Sequence, residues 1–168
     1  MAVRPIVIYG DPVLREKAKP VEKIDQEVKD LVADMIATLK DANGLGLAAP
    51  QVGVSKRIFI TDLSSLELTE SMRVFINPEI IDTSGETILE EGCLSFPGLY
   101  QKVSRPEELK IRALDVEGNE FELNVSGMLA RAILHEYDHL EGILFIDHLS
   151  SLSRALIKGR LRKLAAAS

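Results

Sequence analysis

The string His135-Glu136-Tyr137-Asp138-His139 puts two imidazoles and two carboxylates within five residues. On a helix, residues four apart share a face, so His135 and His139 project side by side with nitrogens able to reach one cation. Glu136 falls beside that cation rather than on it, the place for a base that takes a proton from metal-activated water. Asp138, three residues after His135, flanks the other side and could orient a ligand imidazole. Met128, Leu129, Ala130, Ala132, Ile133 and Leu134 surround the predicted helix over 126–139 almost completely, so it should be buried. Two histidines and a glutamate inside an apolar helix are costly to bury without a shared task.

A catalytic zinc-type site usually has three protein ligands and one open position. The extended zinc-protease pattern asks for Gly and then His after the first five residues. This chain supplies Gly142, then Phe145 where the third histidine belongs, and His148 comes three residues late. Only a short basic tail follows, so a carboxylate ligand on a later helix is excluded too. Upstream, Cys93 sits in Glu90-Glu91-Gly92-Cys93-Leu94-Ser95. A lone cysteine is more often a small buried hydrophobe. Beside an incomplete two-histidine site, a thiolate ligand is the better explanation, because a cation holds the thiol deprotonated.

A third constellation is the small-residue run from Gly44 to Gly53, in which Gln51 is the one polar side chain. It lacks the Gly-Lys-Ser/Thr ending of a phosphate loop. Gln51 is either an amide donor for an oxyanion beside the metal or the solvated side chain of a tight turn, and spacing does not choose between them.

These residues need a scaffold, and 168 residues with 46% hydrophobic and 27% charged side chains suffice for one globular domain over 1–168. No apolar run approaches the ~20 residues that span a bilayer. The opening MAVRPIVIYG is too short an apolar stretch for a secretory signal, so a cytoplasmic location is expected. A helix is predicted after Asp25, carrying Val28, Leu31, Val32, Met35, Ile36 and Leu39 on one stripe and ending near Asn43-Gly44. Short β-branched runs follow at 57–61, 73–76, 80–81, 87–89 and 109–114, in succession without helices between them. The expected class is α+β: antiparallel or mixed sheets packed around a buried central helix, with a last helix over about 150–164. Leu152, Leu156, Leu161 and Leu164 are expected on one side of that last helix.

Net charge is −6, from 20 basic and 26 acidic residues. Residues 151–168 carry five basic side chains (Arg154, Lys158, Arg160, Arg162, Lys163) and no acidic one, so the body is strongly acidic and the tail basic. Such a tail is either a solvated helix face or a contact for an anionic partner.

Taken together and in order, Gly44–Gln51 resembles the GxGxAAxQ motif, Glu91–Ser95 the EGCLS motif and His135–His139 the HExxH motif of the peptide deformylase family. The opening Ile8–Arg15 is also similar to the family's N-terminus, so the resemblance runs to at least Asp147. It implies a metal-dependent hydrolase that removes the formyl group from the N-terminal methionine of nascent chains. Cys93, His135 and His139 would bind one Fe2+ ion, with zinc, nickel or cobalt as substitutes. Glu136 would be the base, and Gln51 and the backbone N–H of Leu94 the oxyanion donors.

The peptide would lie as an extended strand along Gly44–Leu47, contacting Gly46. Leu45, Gly92, Leu94 and Met128 are the candidates for the methionine pocket. Tyr100 stands where many members carry Arg, a departure at the outer substrate site. Arg131, one turn before His135, meets either the substrate backbone or an acid, and the second is preferred. The basic tail is similar to the helical extensions of deformylases that dock on the ribosome near its exit tunnel. Two rivals remain: a small metallopeptidase with no need of Cys93, and a degenerate, non-catalytic binding module.

Overall fold

The computed structural model describes residues 1–167. Three α-helices form, α1 (Gln26–Ala42), α2 (Gly127–Leu140) and α3 (Ser151–Ala167). Seven strands form, β1 (Gly46–Ala48), β2 (Ile58–Thr61), β3 (Arg73–Ser84), β4 (Thr87–Cys93), β5 (Phe96–Arg105), β6 (Glu108–Leu114) and β7 (Glu120–Ser126). Five of them make a sheet in the order β1-β2-β3-β6-β7, and β4-β5 is a separate hairpin. All of these pairings are antiparallel. The architecture is α+β, as the succession of strands without intervening helices predicts.

The capping chemistry sets α1. The Asp25 carboxylate accepts from the Val28 N–H at 3.1 Å, and Asn43 closes the helix in the left-handed region. Its apolar stripe packs with Leu47, Ile58, Ile60 and Ile76 in one cluster. Ten of the fourteen residues of α2 are buried, and Ala130, Ile133 and Leu134 pack with Phe59, Phe75 and Ile111. Each such aliphatic side chain contributes about 1.5–3 kcal/mol. That burial fixes the helix carrying the histidines against the sheet.

Two expectations are corrected. The runs at 73–76 and 80–81 are one strand, β3, bent by a register shift around Asn77-Pro78. Asn77 takes a positive φ there, its side-chain amide both donates to and accepts from the backbone of Val21, and its own N–H donates to Arg57 O. Within the small-residue run, Gly46–Ala48 is the edge strand β1, with Gly46 opposite Thr61. On α3, Ile157, Leu161 and the expected Leu164 are packed, while Leu152 and Leu156 are 71% and 78% exposed. Leu152 and Leu161 lie nine residues apart, half a turn out of phase at 3.6 residues per turn, so they face opposite ways.

Candidate metal centre and active site

The end of β4 is brought against the middle of α2. There the Cys93 Sγ and one ring nitrogen each from His135 and His139 lie within 4.8 Å of one another. The Cys93 Sγ to His139 Nε2 distance is 3.4 Å. The donor set fits a metal ion: one thiol and two imidazoles converge from separate elements. Glu136 Oε1 and His139 Nδ1, both buried beside them, have no hydrogen-bond partner.

The electrostatics agree. Burial alone would strip the proton from His135, but hydrogen bonds with Cys93 and Glu91 outweigh it and hold this imidazole well above its ordinary pKa. His139 is driven well below its ordinary value by burial and by the adjacent His135. Burial pushes Glu136 up to about 7, against the opposing pull of His135 and Arg105. A carboxyl in that range can take and return a proton at neutral pH.

Glu136 owes its place to Gly46 on β1. A Cβ at residue 46 would lie 2.6 Å from Glu136 Oε2, so only glycine lets the edge strand pass this close.

His135 is oriented by Glu91, not by Asp138. Glu91 Oε1 accepts from His135 Nδ1 at 2.8 Å, which turns the other ring nitrogen toward the centre. The same carboxylate accepts from Arg105 Nε at 2.5 Å and Nη2 at 3.0 Å, and from Arg131 Nη1 at 2.6 Å. Burial would raise the Glu91 pKa, but the hydrogen bonds from His135 and Arg105 hold it down at about 2. Asp138 reaches the centre only indirectly, through Arg105 Nη1 at 2.9 Å. Arg131 is buried and pairs with Glu91, and it also donates to Val103 O and Thr87 O. Its pairing with an acid is the preferred sequence reading, and it also lines the cavity above Cys93. His148 is bonded to Asp138 and is not in the ligand cluster.

Gln51 is buried, and its side chain is locked at both ends. Its Oε1 accepts from the Ala48 N–H at 2.9 Å, while Nε2 donates to Ser95 Oγ at 3.1 Å and lies 3.5 Å from Cys93 Sγ. The reading of Gln51 as a solvated turn residue is thereby excluded. The N-terminal segment fastens both neighbours: Val7 N–H donates to Gln51 O and Tyr9 N–H to Ser95 O. Leu94 sits in the turn between β4 and β5.

A cavity of about 400 Å³ opens above Cys93, His135 and Glu136, and Leu45, Gly46, Gly92, Leu94 and Met128 are among its walls. The exposed Tyr100 ring passes close to Gly92 at its rim, where a Cβ on residue 92 would lie 2.5 Å from the ring.

Glu91, Arg105 and Ser95 were not among the residues singled out from the sequence. Glu91 and Ser95 stood inside the quoted string without a partner. Arg105 had no visible signal, because its contact with Glu91 depends on the register of β4 and β5.

No described helix is long and apolar enough to cross a membrane. The sequence model of the polypeptide deformylase family matches residues 3–155. The peptide deformylase of Clostridium botulinum is 56% identical over 147 residues, covering 88% of this chain and 97% of that one. The crystal structure of peptide deformylase from Thermus thermophilus superposes with a TM-score of 0.92 at 40% identity, covering 99% of both chains. A peptide deformylase structure from Legionella pneumophila gives 0.90 at 44% identity, covering 96% of this chain and 95% of that one. Sequence and fold agree over nearly the whole length, and the chain belongs to the peptide deformylase family, metal-dependent hydrolases that remove the N-formyl group from N-terminal formylmethionine.

Proposed function

We propose that Cys93, His135 and His139 hold one ferrous ion and that Glu136 moves the protons of deformylation. The observation that carries this reading is the convergence of three donor atoms within 4.8 Å beneath the cavity, beside a buried Glu136 oxygen with no partner. When bound, the cation polarises the formyl carbonyl and makes water acidic enough to deprotonate near neutrality. Glu136 accepts the proton of the attacking water and later returns it to the departing amine, which releases formate. The Gln51 amide and the Leu94 N–H donate to the oxyanion that develops on the formyl oxygen. The Ser95 and Ala48 contacts of Gln51 fix its amide before substrate arrives.

The peptide binds as an added strand on the free edge of β1, at Gly46, through main-chain bonds that ask little of its sequence. Its methionine enters the cavity between Leu45, Gly92, Leu94 and Met128. A thiolate with two imidazoles also suits zinc, nickel and cobalt, so the preference for iron rests on the family resemblance. The enzyme works in the cytoplasm on chains emerging from the ribosome. The basic face of α3 docks on ribosomal RNA near the exit tunnel, a suitable polyanion.

The test is formate release from a formyl-Met tripeptide by anaerobically loaded ferrous and zinc forms, with the unformylated peptide as control. Formate from the formylated peptide alone, faster with iron, supports the reading. Cleavage of the unformylated peptide would replace it with a metallopeptidase, and silence on both with metal bound would leave a binding module.

A further inference from the structure

The histidine that falls three residues late for the zinc-protease pattern has its own place in the fold. His148 ends the short turn Phe145–His148, and its Nε2 lies 2.7 Å from Asp138 Oδ2. That same oxygen accepts from Arg105 Nη1 at 2.9 Å. Arg105 then spends its Nε and Nη2 on Glu91, and Glu91 Oε1 takes the Nδ1–H of His135. The side chains become less exposed inward along this line, from 35% at His148 through 16% at Asp138 to 4% at Arg105.

We infer that His148 is a positioning residue for the metal centre, clamping the outer end of the Asp138–Arg105–Glu91 chain that orients His135. The inference rests on the assignment of Cys93, His135 and His139 as ligands. Asp138 is the weak link in the chain. It is the most exposed of the three inner members, and one oxygen serves two donors. Without the imidazole, that carboxylate is free to turn toward water. Arg105 then loses one of the acceptors that hold its planar guanidinium, and its two bonds to Glu91 settle at a new angle about the remaining contact with Arg131. The effect reaches the metal as a change in the direction and basicity of His135, not as a change in the ligand set.

A residue in direct contact with a ligating histidine is worth about 10–100-fold in metal affinity, and His148 stands three links further out, so about 5-fold is expected. The experiment titrates cobalt(II) into the metal-free full-length chain and follows visible absorption, which reads ligand geometry as well as affinity. His148→Phe keeps a ring and removes the donor, and His148→Gln keeps an N–H. The expected result is cobalt bound about 5-fold more weakly with altered visible bands in His148→Phe, and both restored in His148→Gln.

Unchanged affinity and bands in His148→Phe overturn the inference. So does a lowered melting temperature of the metal-free variant with an unchanged cobalt spectrum, the mark of a purely structural role. Failure of His148→Gln to restore the bands also counts against it. Absence of cobalt binding by the unaltered chain would overturn the ligand assignment itself, and the inference with it.

Discussion

Glu91 Oε1 lies 2.8 Å from His135 Nδ1, and the carboxylate that makes this bond is also the shared acceptor of two buried guanidiniums, Arg105 and Arg131. One side chain therefore joins the β4-β5 hairpin to the histidine helix. Glu91→Gln should weaken metal binding by about 10–100-fold. It should also cost about 3–5 kcal/mol of folding stability, because it leaves the buried Arg131 without a counter-charge and Arg105 with Asp138 alone. Metal titration and denaturant unfolding read the two effects separately. Loss of stability with unaltered metal affinity would show that Glu91 serves the fold alone.

Gly46→Ala is expected to damage turnover more than folding. The new Cβ would stand 2.6 Å from Glu136 Oε2, so the carboxylate must move. A displacement of about 1 Å costs roughly 100-fold in rate. Steady-state kinetics should show the loss in kcat, with a melting temperature close to that of the unaltered chain. Unchanged kcat would mean that the carboxylate works equally well from another position.

The acid limit of stability should depend on Arg15 and Asp147. Burial would raise the Asp147 pKa, but the hydrogen bonds from Arg15 and the Leu144 N–H outweigh it and lower it below the usual carboxylate range. A depressed carboxylate stabilises the fold fully above its unfolded pKa, about 3.9. That contribution is lost as the pH falls through the lower folded value. Arg15→Ala should therefore lower stability by its full amount near neutrality and by less as the pH falls below about 3.9, and move the acid-unfolding midpoint, followed by circular dichroism, to higher pH. A midpoint that stays put would remove the pair from the acid transition.

The two faces of α3 should respond differently to truncation. Leu161→Ala empties part of the cluster formed with Leu14, Phe96 and Phe145 and should cost about 2–4 kcal/mol. Leu156→Ala, on the exposed face, should stay within about 0.5 kcal/mol. Urea unfolding of both variants checks the helix orientation, and equal losses would contradict it.

Because α3 contributes to that core, deleting it would confound any ribosome-binding assay. Replacing Lys158 and Arg162, both exposed, by Glu leaves the packed face intact. Co-sedimentation with ribosomes should then fall, and binding by the unaltered chain should weaken steeply with added salt. Salt-insensitive binding, or binding that survives both charge reversals, would discard the docking role.

Much of this was legible in the chain because the signals are local. The spacing of His135, Glu136 and His139 needs only a helix to become a site. Asp25 and Asn43 mark the ends of α1 by capping chemistry that involves their own neighbours. The strand β5 gave no comparable signal, because Phe96–Arg105 is broken by Pro97 and Gly98, whereas Glu120–Ser126 alternates polar and apolar residues, a strand pattern passed over in favour of β-branched runs. Asp138 was the nearer acid to His135 in sequence, yet Glu91 orients it. That choice depends on a hairpin register and two arginines that no single-chain pattern reveals. On α3, the count of leucines pointed to Leu152 and Leu156, while the helical phase assigned the core to Ile157 and Leu161.

The central claim is that Cys93, His135 and His139 bind one metal ion while Glu136 moves the proton. The most direct measurement is formate release by ferrous Glu136→Gln protein, with its metal content determined on the same sample. The expected result is one equivalent of metal with the rate reduced by at least about 100-fold, the lower end of the usual contribution of a positioned proton donor and acceptor. Formate released at the unaltered rate, with full metal content, would contradict it.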